Sequence, residues 1–163
     1  MKQLTAKDVM IPDVLTASKN WSVDYLLNFL LEHSITGAPV ITDDGKLEGV
    51  VSLTDIARTY NLMESVEREN EPHDFYLQEA REMYRNEIRE SIDVKDEDRT
   101  LVQDIMTPMV FSVTLDTSLS QIADFMIRGR IHRVLVTENK KLAGIITTID
   151  MLKIIKEYAQ DDG

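Results

Sequence analysis

Two stretches of this chain carry hydroxyls and carboxylates at a spacing that could bind a sugar or a phosphate. They are Gly49-Val50-Val51-Ser52-Leu53-Thr54-Asp55 and Gly144-Ile145-Ile146-Thr147-Thr148-Ile149-Asp150. Both read Gly-x-x-[Ser/Thr]-x-x-Asp, where an apolar run gives way to a helical pattern. Ser52 with Asp55, and Thr147 with Asp150, are spaced like capping boxes, and a cap alone would account for them. The same position also offers chemistry. A helix N-terminus presents free N–H groups and partial positive charge, which suits a phosphate. A carboxylate there can accept both hydroxyls of a ribose, as acidic residues do in dinucleotide folds. The glycine lets a ligand or another backbone come close. One copy is a weak signal, and two copies at matched places are a much stronger one.

A second feature is Ile131-His132-Arg133-Val134. With Arg128 and Arg130 it forms the densest basic cluster in an acidic chain. Arginine matches phosphate geometry through bidentate N–H donors. The competing reading is a solvated helix end with cations placed favourably at its C-terminus. Catalysis finds little support. His33, His73 and His132 lack a metal-ligand spacing, and no Gly-x-x-x-x-Gly-Lys-[Ser/Thr] loop is present. The repeated Ser and Asp have no histidine base nearby in sequence, although triads can assemble from distant residues.

The elements that must position these groups are written twice. Asp8-Val9-Met10-Ile11-Pro12 returns as Asp104-Ile105-Met106-Thr107-Pro108, and Val14-Leu15-Thr16 as Val110-Phe111-Ser112. Ser22, Val23, Leu26, Leu27, Leu30, Leu31 and Ile35 match Ser118, Leu119, Ile122, Ala123, Met126, Ile127 and Ile131. Their apolar members recur at helical spacing, which predicts one buried face in each copy. Ala38-Pro39-Val40-Ile41 pairs with Val134-Leu135-Val136-Thr137. A turn follows, Asp43-Asp44-Gly45-Lys46 or Glu138-Asn139-Lys140-Lys141, between apolar runs that read as a hairpin. Helices then begin at about Thr54 and Ile149. Each repeat therefore reads strand, helix, strand, strand, helix. A unit of about 50 residues buries its faces poorly alone, so two are expected to pack together.

Repeat one is assigned to residues 1–60 and repeat two to 100–163. The charged segment 61–99 has no counterpart. Phe75-Tyr76-Leu77, Ala80, Met83-Tyr84 and Ile88 make an apolar stripe at helical spacing within it. That stripe is either a solvated helix lying on the module, or a lid or docking surface for a partner.

Composition narrows the classes. The chain has 163 residues, no cysteine and a formal net charge of -11. Disulfide and thiolate chemistry are excluded. The acidic balance and few aromatics argue against nucleic acid. No stretch approaches the roughly 18 apolar residues of a membrane span, and the first residues lack the apolar core of a secretory signal. A cytoplasmic protein with no membrane partner is expected.

The Asp-[Ile/Val]-Met-x-Pro openings, the amphipathic helix, the hairpin and the paired Gly-x-x-[Ser/Thr]-x-x-Asp endings resemble a tandem pair of CBS domains, a Bateman module. The resemblance spans nearly the whole chain outside 61–99. It implies an α/β fold of two βαββα repeats packed with pseudo-two-fold symmetry, and a disc-like homodimer. It implies a non-catalytic regulatory module with no obligatory cofactor, binding AMP, ADP or ATP in the cleft between repeats. S-adenosylmethionine or NAD are lesser candidates. Asp55 and Asp150 would hold ribose hydroxyls, with Ser52 and Thr147 beside ribose or phosphate. The chain near Thr16, Ala38, Pro39, Ser112 and Val134 would wall the adenine. His132-Arg133 is similar to a His-Arg step by which nucleotide-binding members contact phosphates. Repeat one departs from it with Thr36-Gly37. The alternative is a ligand-independent interaction or dimerisation module docking through the 61–99 segment.

Overall fold

The computed structural model describes residues 4–60, 100–108 and 110–161. The apolar stripe expected within 61–99 lies outside them. Twelve elements follow in chain order: α1 (Ala6–Val9), β1 (Ala17–Ser18), α2 (Val23–Glu32), β2 (Gly37–Ile41), β3 (Leu47–Ser52), α3 (Leu53–Thr59), α4 (Val102–Ile105), β4 (Ser112–Thr114), α5 (Leu119–Gly129), β5 (Arg133–Glu138), β6 (Lys141–Thr147) and α6 (Thr148–Asp161). The expected order of strand, helix, strand, strand, helix is present twice. Strands order as β1-β2-β3 in one sheet and β4-β5-β6 in the other. The described residues form two compact units that do not follow the repeats as written along the chain.

Unit I holds residues 16–40, 49–60 and 100–108. Its core is Ala17, Val23, Leu26, Leu27, Leu30, Ala38, Val40, Val51, Ile56 and Val102. Ser22 caps α2 by accepting from the Tyr25 N–H at 3.2 Å, which turns Leu26, Leu27 and Leu30 inward as their spacing predicts. The opening segment of repeat two closes this unit. Val102 N–H donates to Trp21 O at 2.9 Å, and Val50 and Thr107 exchange backbone hydrogen bonds at 3.0 and 2.9 Å.

Unit II holds residues 4–15, 41–48 and 110–161. Its core is Ala6, Ile122, Met126, Val134, Val136 and Ile146. Ser118 and Gln121 make the expected capping box at the start of α5, with Gln121 N–H to Ser118 Oγ at 3.3 Å and Ser118 N–H to Gln121 Oε1 at 3.1 Å. β4 runs parallel to β5, and β5 antiparallel to β6, with a register shift between Val136 and Thr137. Here the opening segment of repeat one does the closing. Ala6 N–H donates to Thr117 O at 2.8 Å, and Ile11 and Ile145 exchange hydrogen bonds at 2.9 and 3.0 Å. These bonds repeat, position for position, those of unit I.

Each opening motif folds as one helical turn because its aspartate caps it. Thr5 N–H and Oγ both donate to Asp8 Oδ2 at 2.9 Å. Leu101 N–H donates to Asp104 Oδ2 at 2.8 Å. The methionine that follows packs against the glycine of the partner repeat's strand. A Cβ on Gly49 would stand 2.8 Å from Thr107 O and 3.0 Å from Met106 Sδ. One on Gly144 would stand 2.9 Å from Ile11 O and 2.7 Å from Met10 Sδ. The close approach expected at these glycines is thus made by backbone.

Candidate functional site: two strand-to-helix junctions

In unit I, β3 runs into α3 at Ser52, which is extended (φ -140, ψ 168) and is the N-cap. The helix starts at Leu53, one residue earlier than its apolar pattern suggests. Ser52 N–H donates to Asp55 Oδ2 at 2.8 Å, and Ser52 Oγ donates to the same oxygen at 2.7 Å. Asp55 N–H returns to Ser52 Oγ at 3.4 Å. The capping reading of this motif therefore holds. It consumes one carboxylate oxygen. Among the described residues no group donates to Asp55 Oδ1. Leu53 N–H donates to Thr36 O at 3.0 Å, which brings the start of β2 beside the junction.

Unit II repeats this geometry. Thr147 N–H and Oγ1 donate to Asp150 Oδ2 at 2.9 and 2.6 Å, and Asp150 N–H returns to Thr147 Oγ1 at 3.3 Å. Thr148 N–H and Oγ1 donate to His132 O at 3.0 and 3.1 Å. Strand register sets Arg133 opposite Thr147. His132, Arg133, Thr147 and Asp150 therefore fall at one strand-to-helix junction. Burial works to raise the Asp150 pKa. The Thr147 hydroxyl and backbone N–H and the Lys153 ammonium outweigh it, so the carboxyl sits below its ordinary value of 3.8 and is anionic at neutral pH.

The other expected residues fall less uniformly. Ala38, Pro39 and Val134 are buried, and the Ala38 and Val134 side chains belong to the two cores. Thr16 is half-buried just before β1. Ser112 is exposed opposite Leu135, and its hydroxyl pairs with Thr137 Oγ1 at 3.2 Å. Arg133 and His132 are exposed. Arg128 stands 3.9 Å from Asp124, an exposed pair worth little.

Lys153 lies outside the Gly-x-x-[Ser/Thr]-x-x-Asp motif yet touches its carboxylate. Its ammonium lies 3.0 Å from Asp150 Oδ1. A base three residues after an acid on a helix is a readable pairing signal, and Arg58 stands at the matching place after Asp55. Among the described residues no group of three or more metal-ligating side chains comes together. No helix among them is long and apolar enough to cross a membrane.

Comparison with known proteins agrees with the duplicated geometry. The family model described as CBS domain matches twice, over residues 6–61 and 102–157. An uncharacterized protein of Methanocaldococcus jannaschii is 26% identical over 157 residues, covering 91% of this chain and 89% of that protein. The chloroplastic CBS domain-containing protein CBSX2 of Arabidopsis thaliana is 31% identical over 149 residues, covering 88% of this chain and 60% of that protein. A crystal structure of CBSX2 in complex with AMP matches with a TM-score of 0.67 at 26% identity, covering 95% of this chain and 98% of that one. Against two further uncharacterized proteins of the same archaeon the chain spans only 42% and 38% of their length. The two matches take in more than half of the residues, and the chain belongs to the CBS domain family as a tandem pair.

Proposed function

We propose that this CBS pair is a non-catalytic regulatory module that binds an adenosine nucleotide at its strand-to-helix junctions. One observation carries the reading. Two junctions, far apart in sequence, hold a carboxylate in the same capped geometry at the start of a helix. Asp55 and Asp150 take the ribose hydroxyls, and Ser52 and Thr147 stand next to them. In unit II, Arg133 and the exposed His132 supply the donors for phosphate. CBSX2, at 26% identity, is a relative solved with AMP. That supports an adenosine ligand here, with AMP, ADP and ATP the first candidates and S-adenosylmethionine or NAD the next.

The test is a melting-temperature titration of the full chain with AMP, ADP and ATP. A ligand at 100 times its dissociation constant stabilises the folded state by about 2.7 kcal/mol. A nucleotide-dependent rise supports the reading. No rise with any of these, S-adenosylmethionine or NAD at millimolar concentration overturns it.

Self-association belongs to the same proposal. Helix α6 leaves Ile149, Leu152 and Ile155 exposed at a spacing of three residues, with Tyr158 exposed further on. A second copy would cover such a face. Sedimentation equilibrium giving a dimer supports this, and a monomer at micromolar concentration removes it.

A further inference from the structure

We propose that Lys153 is a ligand-responsive latch on Asp150, and that it makes the unit II junction selective for nucleoside phosphates over the uncharged nucleoside. The inference rests on reading Asp150 as a ribose acceptor, and adds a residue and a selectivity to it.

Asp150 has two oxygens to offer. Oδ2 already accepts the Thr147 N–H and hydroxyl. Oδ1 is the one left for a sugar hydroxyl, and it is occupied by the Lys153 ammonium at 3.0 Å. The lysine side chain is 64% exposed and the aspartate side chain 9% exposed, so the lysine closes an otherwise recessed carboxylate. A ribose that binds Oδ1 must displace this ammonium. An uncharged nucleoside gives the displaced cation no new partner. A nucleoside phosphate supplies an anion, and the flexible lysine stem can swing the ammonium to it. The exchange then costs little, because one charge-assisted pair replaces another.

Unit I provides the internal comparison. Asp55 Oδ2 is saturated in the same way, but Oδ1 accepts no hydrogen bond among the described residues, and Arg58 makes no ion pair with it. Among the described residues, the Oδ1 atom of this carboxylate therefore accepts no hydrogen bond in one repeat and is latched in the other. Selectivity for phosphate is thus a property of unit II that unit I does not share through this device.

The experiment follows each unit in the full chain by methionine-methyl NMR. The Met151 methyl reports unit II and the Met106 methyl reports unit I, since each packs against its own core. Adenosine and AMP are titrated into the parent, Lys153→Met, Lys153→Gln and Lys153→Arg. In the parent, the Met151 signal should show tighter binding of AMP than of adenosine. Lys153→Met and Lys153→Gln should cut that preference by roughly fivefold to tenfold, the range for losing one partly exposed charge-assisted hydrogen bond. Part of this should come from tighter adenosine binding. Lys153→Arg should retain the preference, and the Met106 signal should not respond to any of the three changes. An AMP-to-adenosine ratio at Met151 unchanged in both neutral variants overturns the latch while leaving the nucleotide reading standing. If neither compound shifts either methyl in the parent, the nucleotide reading falls and the latch with it.

Discussion

Gly144 lies against Ile11 so closely that a Cβ at Gly144 would stand 2.9 Å from the Ile11 carbonyl oxygen, with Met10 Sδ at 2.7 Å. The contact joins the glycine of the second Gly-x-x-[Ser/Thr]-x-x-Asp motif to the opening motif of repeat one. Ile11 and Ile145 exchange two backbone hydrogen bonds at the same place, so the carbonyl cannot retreat without breaking them. We predict that Gly144→Ala destabilises the chain by about 1–3 kcal/mol, the usual range for overpacking a close contact. Urea unfolding of the variant measures this. A midpoint equal to the parent's would show that the segment 9–11 yields freely.

The hairpin between β5 and β6 turns on Asn139 and Lys140, both left-handed (φ 51 and 67). Glu138 and Lys141 pair directly across this two-residue loop. Such loops favour glycine at the second position, and a side chain there is strained. Lys140→Gly is expected to stabilise by about 0.5–1 kcal/mol despite the added freedom of the unfolded chain. Thermal unfolding checks it, with an unchanged or lower melting temperature as the contrary result.

Asp150 links stability to acidity. Its pKa in the folded chain lies below the ordinary 3.8 that it regains on unfolding. Its deprotonated form therefore favours the fold. That contribution is complete above the unfolded value and is lost as pH falls through the lowered folded value. The melting-temperature gap between the parent and Asp150→Asn should be constant from neutral pH down to roughly pH 5 and then close on further acidification. A gap that persists unchanged down to roughly pH 2 would show that the carboxylate charge contributes nothing to folding.

Much of this architecture was open to a reading of residues alone. The buried face of α2 followed from helical spacing, and that of α5 in part, since Ile122 and Met126 are buried but Ile127, expected on the same face, is 74% exposed. The junction caps followed from a hydroxyl and a carboxylate three apart. The exchange of opening segments was not readable. A contact such as Ile11 with Ile145 joins residues distant in sequence, and nothing in the local pattern of either one names its partner. The glycines could only be read as places of close approach, by ligand or by backbone. The structure shows the backbone carbonyls of Thr107 and Ile11 there. Ala38 and Val134 were expected along an adenine wall on the strength of a resemblance, and their burial assigns those side chains to the cores. Lys153 lies three residues beyond Asp150, where the motif ends, so the motif's spacing does not single it out.

The His132-Arg133 step of unit II corresponds to Thr36-Gly37 in unit I. Gly37 is itself confined, since a Cβ there would stand 2.8 Å from Val51 O and 3.2 Å from Ser52 Cβ. Gly37→Ala would disturb the fold, and Thr36→Ala is the sounder comparison. Arg133→Ala should weaken ATP binding by roughly threefold to tenfold, more than it weakens AMP binding, because the lost pair is exposed and faces the added charge. Thr36→Ala should leave the AMP-to-ATP ratio unchanged. Titrations at two salt concentrations read both effects, and equal AMP and ATP affinities in Arg133→Ala and parent would leave the basic cluster as a solvated helix end.

The central claim is that Asp55 and Asp150 hold the ribose of an adenosine nucleotide. Calorimetric titration of AMP into the parent, Asp55→Ala, Asp150→Ala and the double variant tests it most directly, with unfolding curves confirming that each is folded. Each single change should remove one binding event or weaken it roughly tenfold or more, as expected for a lost hydrogen bond to a charged group. The double variant should show no AMP binding at millimolar concentration. A folded double variant that binds AMP with the parent's affinity and stoichiometry would contradict the account.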